Sequence, residues 1–204
     1  MTTLTIDTSD RSIVGLVSPD FEELACAQAE DARHHVESLT PMVRDVVAGT
    51  RPDSIVVGTG PAAFTGLRAG LVTARALARG WGIPLRGVSS LEVLAFGAIA
   101  AGADEAVAAI DAKRGELFTL HARAGADGGI DVISGPRIVA PSDLPADVTL
   151  VTHRPGLYPE LEDAVPGACR PVDMARLAAA LLAAGAAMPT EPQYLRRPDV
   201  HGRP

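Results

Sequence analysis

The stretch Ile55-Val56-Val57-Gly58-Thr59-Gly60-Pro61-Ala62-Ala63-Phe64-Thr65-Gly66-Leu67-Arg68 runs from an apolar strand through a Gly/Pro turn into the start of a helix. Residues 54–58 read as a buried strand, and 65–81, rich in Ala, Leu and Arg, reads as a helix. Gly60 and Gly66 permit backbone angles closed to other residues and let a second backbone or a ligand come close. Thr65 can cap the helix, whose first turn offers free N–H groups and a partial positive charge. Such a turn suits either an anion or a tightly packed partner. A second stretch in the same half, Ile6-Asp7-Thr8-Ser9, ends a strand in a similar way.

Working outward, Leu4 and Ile6 alternate with threonines, which predicts a strand ending at Asp7. Residues 12–17 and 22–29 read as two more strands separated by turns, giving an antiparallel meander. Residues 31–48 switch to helical spacing, with Val36, Leu39, Val43, Val46 and Val47 on one face. Pro41 lies inside that pattern and predicts a kink or a late start. A short strand at 84–88 and a helix at 90–101, capped by Ser89 or Ser90, follow. Composition shifts near 102–105, and two domains are expected, 1–103 and a smaller 104–204. The second half offers strands near 106–110, 116–122, 130–133 and 148–152, then a helix at 172–187 and a Pro/Arg-rich tail at 189–204. Strand-end Asp7 in the first half and strand-end Asp111 in the second suit a duplicated, ribonuclease-H-like layout.

Composition narrows the class. The 204 residues are 47% hydrophobic, with mean hydropathy +0.19, enough for a real core. A formal net charge of −7 makes the chain a poor nucleic-acid binder on its own. Cys26 and Cys169 are too few for a disulfide framework or a zinc site, and reduced thiols in a cytosol are expected, with Cys26 in a strand core. The N-terminus lacks the basic start and apolar run of a signal peptide. No membrane span is expected, because the Ala-rich 175–187 is short and carries Arg176.

The motifs Ile6-Asp7-Thr8-Ser9, the helix start with Arg33, His35, Glu37, Leu39 and Pro41, Gly60 to Arg68, IPLRGVSSLEVLA at 83–95, DAKRGELF at 111–118 and PQYLRRP at 192–198 occur together. In that combination the chain resembles the TsaB family, the non-catalytic partners in bacterial synthesis of threonylcarbamoyladenosine in tRNA. The resemblance implies an α/β fold of two ribonuclease-H-like lobes (the ASKHA, or actin-like ATPase, fold), mixed sheets flanked by helices, the second lobe reduced. It implies a TsaD-like catalytic subunit and a TsaE-like ATPase as partners, and tRNA met only through the complex. It implies no cofactor and no catalytic residue of its own. Where the family's turn is similar to GPGSFTGLR, this chain has Ala62-Ala63, which removes a glycine and a hydroxyl donor. No Asp-x-Gly-Gly motif follows in the second half to grip a β-phosphate.

Each candidate site has a plain structural counterpart. Asp7, Thr8 and Ser9, with Gly60, Phe64, Thr65 and Gly66, read as a vestigial phosphate loop or as a turn satisfying its own N–H groups. Asp111, Arg114 and Glu116 form a charged cluster at the expected hinge between lobes. His34 and His35 are adjacent, about 100° apart on a helix, so they do not make the two-His zinc pattern of a metalloprotease. On 65–81, Arg68, Arg75 and Arg79 form a basic stripe, Ala69, Thr73, Ala76 and Gly80 a stripe of small residues, and Leu67, Leu71, Ala74 and Ala78 an apolar row. The expected partner surface is the outer rim of helices 33–48 and 65–81: His35, Leu39, Val43, Arg68, Leu71 and Arg75. For the chain alone, the sequence leaves both a monomer and a homodimer open. Two rival functions remain at this point, an ATP-dependent small-molecule kinase and a metalloprotease.

Overall fold

The computed structural model describes residues 1–29, 35–62, 64–126 and 128–196, without the side chains of 35–37, 64 and 65. Strands β1 (Thr3–Asp7), β2 (Ile13–Val17) and β3 (Glu23–Gln28) form the expected meander, and β4 (Ser54–Gly58) and β5 (Leu85–Val88) add in parallel beyond β1, in the order β3-β2-β1-β4-β5. The second sheet repeats this plan. Strands β6 (Glu105–Lys113), β7 (Glu116–Ala124) and β8 (Ile130–Val139) are antiparallel, and β9 (Thr149–Thr152) and β10 (Val165–Pro166) add in parallel beyond β6. Two copies of one five-stranded order make this an α/β fold of two ribonuclease-H-like lobes.

The copies differ in their connections. In the first lobe, helix α1 (His35–Val47) links β3 to β4 and helix α2 (Phe64–Trp81) links β4 to β5. In the second, single 3-10 turns at Pro141–Asp143 and Pro159–Leu161 stand in those places. Among the described residues, the outer face of the second sheet is covered by a small cluster in which Leu161 and Ala164 pack on Ala109 and Leu117.

The sheets divide between Val88 and Glu105, but the remaining helices do not divide with them. Helix α3 (Ser90–Ala100), from the first half, packs on β6, β7 and β9, while helix α4 (Pro171–Ala183), from the second, packs on the first sheet and on α3. Gly15 makes the second contact possible: a Cβ there would lie 2.2 Å from Cγ of Pro171. One core cluster consequently runs from Val56 and Val88 through Leu91 and Leu94 to Leu120, Met174 and Leu177.

Pattern and structure part company in the second half, where β8 runs on to Val139, β10 is an unexpected strand and α4 ends at Ala183, and at two points in the first. Helix α1 continues through Pro41, which is exposed at mid-helix, so it does not start late. The part of the helix expected at 31–34 lies outside the described residues. Cys26 is exposed, because β3 is the edge strand of the first sheet and presents Glu23, Leu24 and Cys26 outward.

The apolar row of α2 faces inward. Leu67, Leu71, Ala74 and Ala78 join Leu39, Val43 and Val46 of α1 over Leu4, Ile6, Ile55 and Val57 of the sheet. Truncating Leu71, 2% exposed, to Ala should cost about 2–5 kcal/mol in urea unfolding. Val72→Ala, at a side chain 64% exposed, should stay within about 0.5 kcal/mol.

Candidate functional site

Asp7 ends β1 with its carboxylate 2% exposed. Its Oδ1 accepts from the Ser9 amide at 2.9 Å and the Ser9 hydroxyl at 2.5 Å, and its Oδ2 accepts from the Ser90 hydroxyl at 2.7 Å. A Cβ at Gly58 would lie 1.8 Å from Oδ2, so the neighbouring strand needs glycine to make room for this carboxylate. The Thr8 hydroxyl donates to the Gly66 carbonyl at 2.9 Å and presses on Gly70, where a Cβ would come within 2.4 Å. Beneath them, the Cys169 thiol sits 3.9 Å from the Ser9 oxygen, and burial, then the Asp7 charge, pushes its pKa well up. The Asp7–Ser9 loop is thus bonded partly within itself and partly to Gly66 and Ser90.

Gly60 has φ +89 and precedes a cis peptide bond to Pro61. Its carbonyl accepts from the Ser90 amide at 2.8 Å and the Ser89 hydroxyl at 3.2 Å, so the turn is packed against the start of α3. The turn's described bonds are made within the chain, to Ser89 and Ser90. Ser89 occupies the N-cap position, but its hydroxyl caps nothing; it reaches Gly60 and, at 3.3 Å, Gln193. Glu92 instead accepts the Ser89 amide, and burial raises the Glu92 pKa against that bond. The side chains of Phe64, Thr65 and His35 lie outside the described residues, as does all of Arg33 and His34.

A cavity of about 170 Å³ opens where the lobes meet, lined by Thr8, Ser9, Asp10 and Gly66 on one side and Ile110, Asp111, Lys113 and Arg154 on the other. Arg154 closes it by donating to Asp10 Oδ1 at 2.7 and 3.1 Å. His153, also in this wall, has Nδ1 3.2 Å from the Gly167 carbonyl, and its buried Nε2 meets no partner among the described residues. Of the expected hinge cluster, Asp111 pairs with Lys113 (2.6 Å to Nζ, 2.8 Å to the amide) and Glu116 with Arg196. Arg114 sits in the β6–β7 turn at φ +59. Burial raises the Asp111 pKa, but the side-chain and backbone bonds from Lys113 and the charges of Lys113 and Arg154 together leave it below the usual carboxylate range. Among the described residues, no three His, Cys, Asp or Glu side chains gather as metal ligands.

The expected partner surface needs correction. Leu39, Val43 and Leu71 are 1%, 5% and 2% exposed, inside the core between α1, α2 and the sheet, and cannot touch a partner. A helix needs one apolar row to cover its sheet, and these residues belong to that row. The outward side of α2 carries Arg68, Val72, Arg75, Ala76, Arg79 and Gly80. Arg68 and Arg75 hold the chain's own tail: Arg68 Nε donates to the Tyr194 hydroxyl at 2.8 Å, and Arg75 donates to the Thr190 carbonyl at 2.8 Å. The tail also pairs with the first sheet, Gly87 donating to the Met188 carbonyl at 3.1 Å and Gln193 to the Thr59 carbonyl at 2.9 Å. Sequence reasoning missed the roles of Ser90, Asp10, His153 and Arg154. Interior glycines at 58 and 70 carried a usable signal, since they mark close approach.

Two ribonuclease-H-like lobes, a buried strand-end carboxylate held by Ser9 and Ser90, and a helix pair on one flank define the class of protein. The sequence model of the family described as TsaD: tRNA N6-adenosine threonylcarbamoyltransferase matches residues 28–145, and the chain belongs to that family as a TsaB-type member. An uncharacterized protein of Mycobacterium tuberculosis is 36% identical over 97% of this chain and 93% of its own length. TsaB of Escherichia coli, a tRNA threonylcarbamoyladenosine biosynthesis protein, is 39% identical over 42% of this chain and 40% of its own length. A Mycobacterium leprae protein, also uncharacterized, is 37% identical over 69% of this chain, a match spanning about two fifths (39%) of that relative. A Pseudomonas aeruginosa structure described as similar to peptidase YeaZ superposes with a TM-score of 0.79 at 28% identity, covering 96% of this chain and 99% of that one.

Two outcomes test this geometry. Asp7→Asn should lower stability by about 1–3 kcal/mol in thermal unfolding, because a buried acceptor of three bonds becomes half donor. Asp111, with its folded pKa depressed, contributes stability that is present above its unfolded value of about 3.9. That contribution is lost as pH falls through the lower folded value. Unfolding curves between about pH 2 and 5 should therefore lose part of their slope in Asp111→Asn.

Proposed function

We propose that this chain is the accessory, non-catalytic subunit for threonylcarbamoyl transfer to adenosine in tRNA, and that it binds a TsaD-like catalytic subunit through the α1–α2 flank. The observation that carries the reading is Val72, 64% exposed on the outward side of α2, between Arg68 and Arg75 and over a fully packed inner row. Small residues follow it at Ala76 and Gly80, and a Cβ at Gly80 would meet nothing within 4 Å, so another helix can come close. Family membership and the TsaB relatives support the pathway.

The strand-end loop supports the accessory role. Both oxygens of Asp7 accept bonds from Ser9 and Ser90 and the side chain is 2% exposed, which favours a structural use of this carboxylate over a metal-bound phosphate. Lobes 1–103 and 104–204 serve as a scaffold that presents the helix flank. Binding selectively to the partner's active form would stabilise that form. A TsaE-like ATPase joins the assembled pair, tRNA is met only through it, and the work is done in the cytoplasm. Without its partner, the same flank would pair two copies of this chain.

Val72→Asp should keep a folded circular-dichroism spectrum yet lose about 2 kcal/mol or more of affinity for the TsaD-like subunit, measured by calorimetry. Threonylcarbamoyladenosine in tRNA should fall with it. Unchanged binding would move the interface elsewhere, and ATP turnover by the isolated chain that Asp7→Asn abolishes would favour a kinase.

A further inference from the structure

The tail from Met188 to Arg196 is a strap with two anchors. One anchor is the first lobe. Gly87 donates to the Met188 carbonyl along the edge of β5, and a Cβ at Gly87 would lie 1.9 Å from the Pro189 carbonyl oxygen, so this strand is shaped to let the strap's backbone sit on it. The other anchor is the second lobe, where Arg196 pairs with Glu116 at the start of β7. Between them the strap crosses the outward side of α2. Arg68, Val72 and Arg75 lie at i, i+4 and i+7, one face of the helix, and the outer two hold Tyr194 and Thr190. A body that covers Val72 therefore meets the strap.

We infer that this strap couples partner docking to closure of the two lobes. The inference rests on the docking surface proposed above and adds a component to it: the strap is part of that surface, and its far end holds the lobe junction. A partner helix pair seated on Val72 would press Tyr194 and Thr190 onto α2, which keeps Arg196 within reach of Glu116. Conversely, a strap released from Glu116 would lie loose across the helix face, and docking would first have to order it. By linkage the two effects are equal: whatever factor the anchored strap adds to affinity, docking adds to anchoring.

The test has one arm without the partner and one with it. In the isolated chain, Arg196→Ala should speed amide exchange at Gln193 and Gly87 by about tenfold, because only local opening of the strap exposes them. The same variant should raise the Kd for the TsaD-like subunit by about tenfold. Combining Glu116→Arg with Arg196→Glu should restore both. Gly87→Ala, which lifts the strap from β5 without altering either charge, should weaken binding in the same direction. Unchanged exchange in Arg196→Ala would show that Glu116 does not hold the strap, and would overturn the inference. Faster exchange with unchanged Kd would overturn the coupling while leaving the docking surface standing. Weaker binding without faster exchange would make Arg196 a direct contact and overturn the strap. If Val72→Asp also binds normally, the docking reading itself has failed, and the partner-free arm still decides whether the strap is anchored.

Discussion

The carboxylate of Asp7 is the point on which both lobes depend. It is buried, and a buried charge without partners is costly, so its three bonds to Ser9 and Ser90 are a condition of folding this way. Ser9 follows β1 in the first sheet, and Ser90 opens α3, the helix that covers the second sheet. Asp7 therefore joins the sheet of one lobe to the helix of the other. Glycine at 58 is a consequence, since any side chain there would strike the carboxylate. In a related fold that works on nucleotides, a strand-end carboxylate would have to face the cleft. Here it faces the protein.

That junction explains why the division of the chain into halves fails to describe its packing. Helix α3 leaves the first sheet to pack on the second, and α4 returns from the second to pack on the first. Each half supplies the helix that the other half's sheet needs, so neither sheet has a complete core from its own half. The apolar cluster that includes both Val56 and Leu120 is the energetic expression of this exchange. The interlobe pair Asp10–Arg154 and the tail's pair Glu116–Arg196 are partly exposed ion pairs, worth little in stability next to that core. Their value is geometric: they fix how the lobes sit.

The first-half strands are legible because their apolar patterns are strong, whereas in the second half the far end of β8 and the short edge strand β10 carry no such pattern. Residues 54–58 were placed to the residue, and the β-α-β order of the first half followed from apolar spacing alone. The site was less legible, for reasons that particular residues show. Helix α2 has apolar, small and basic rows, and the spacing does not say which row meets the sheet. Leu71 belongs to the row that does, and Val72, one step of about 100° away, stands in solvent. Ser90 looks like a helix cap, but its hydroxyl serves a carboxylate 83 residues away, a bond that no local pattern announces. Cys26 looked buried because its strand alternates, whereas its place at the edge of the sheet depends on the order of five strands. Conversely, the motif at 192–198 was visible as a motif, and only the fold reveals that Gln193, Tyr194 and Arg196 face three different elements.

The second lobe shows what the fold keeps once its helices are gone. With 3-10 turns in place of two helices, its outer face is thinly covered, and residues 141–165 supply Leu144, Leu150, Leu161 and Ala164 as a small satellite core. A lobe reduced in this way cannot offer a helix pair like α1–α2, so the two-fold plan of the sheets does not extend to their surfaces. What remains duplicated is one local bond: Asp111, two residues short of the end of β6 rather than at it, accepts the amide two residues on, as Asp7 does at the end of β1. Both turns line the cavity between the lobes, but Asp7 also takes a bond from Ser90, whereas Asp111 is held by Lys113. The difference comes from α3, which can place its serine against only one of them.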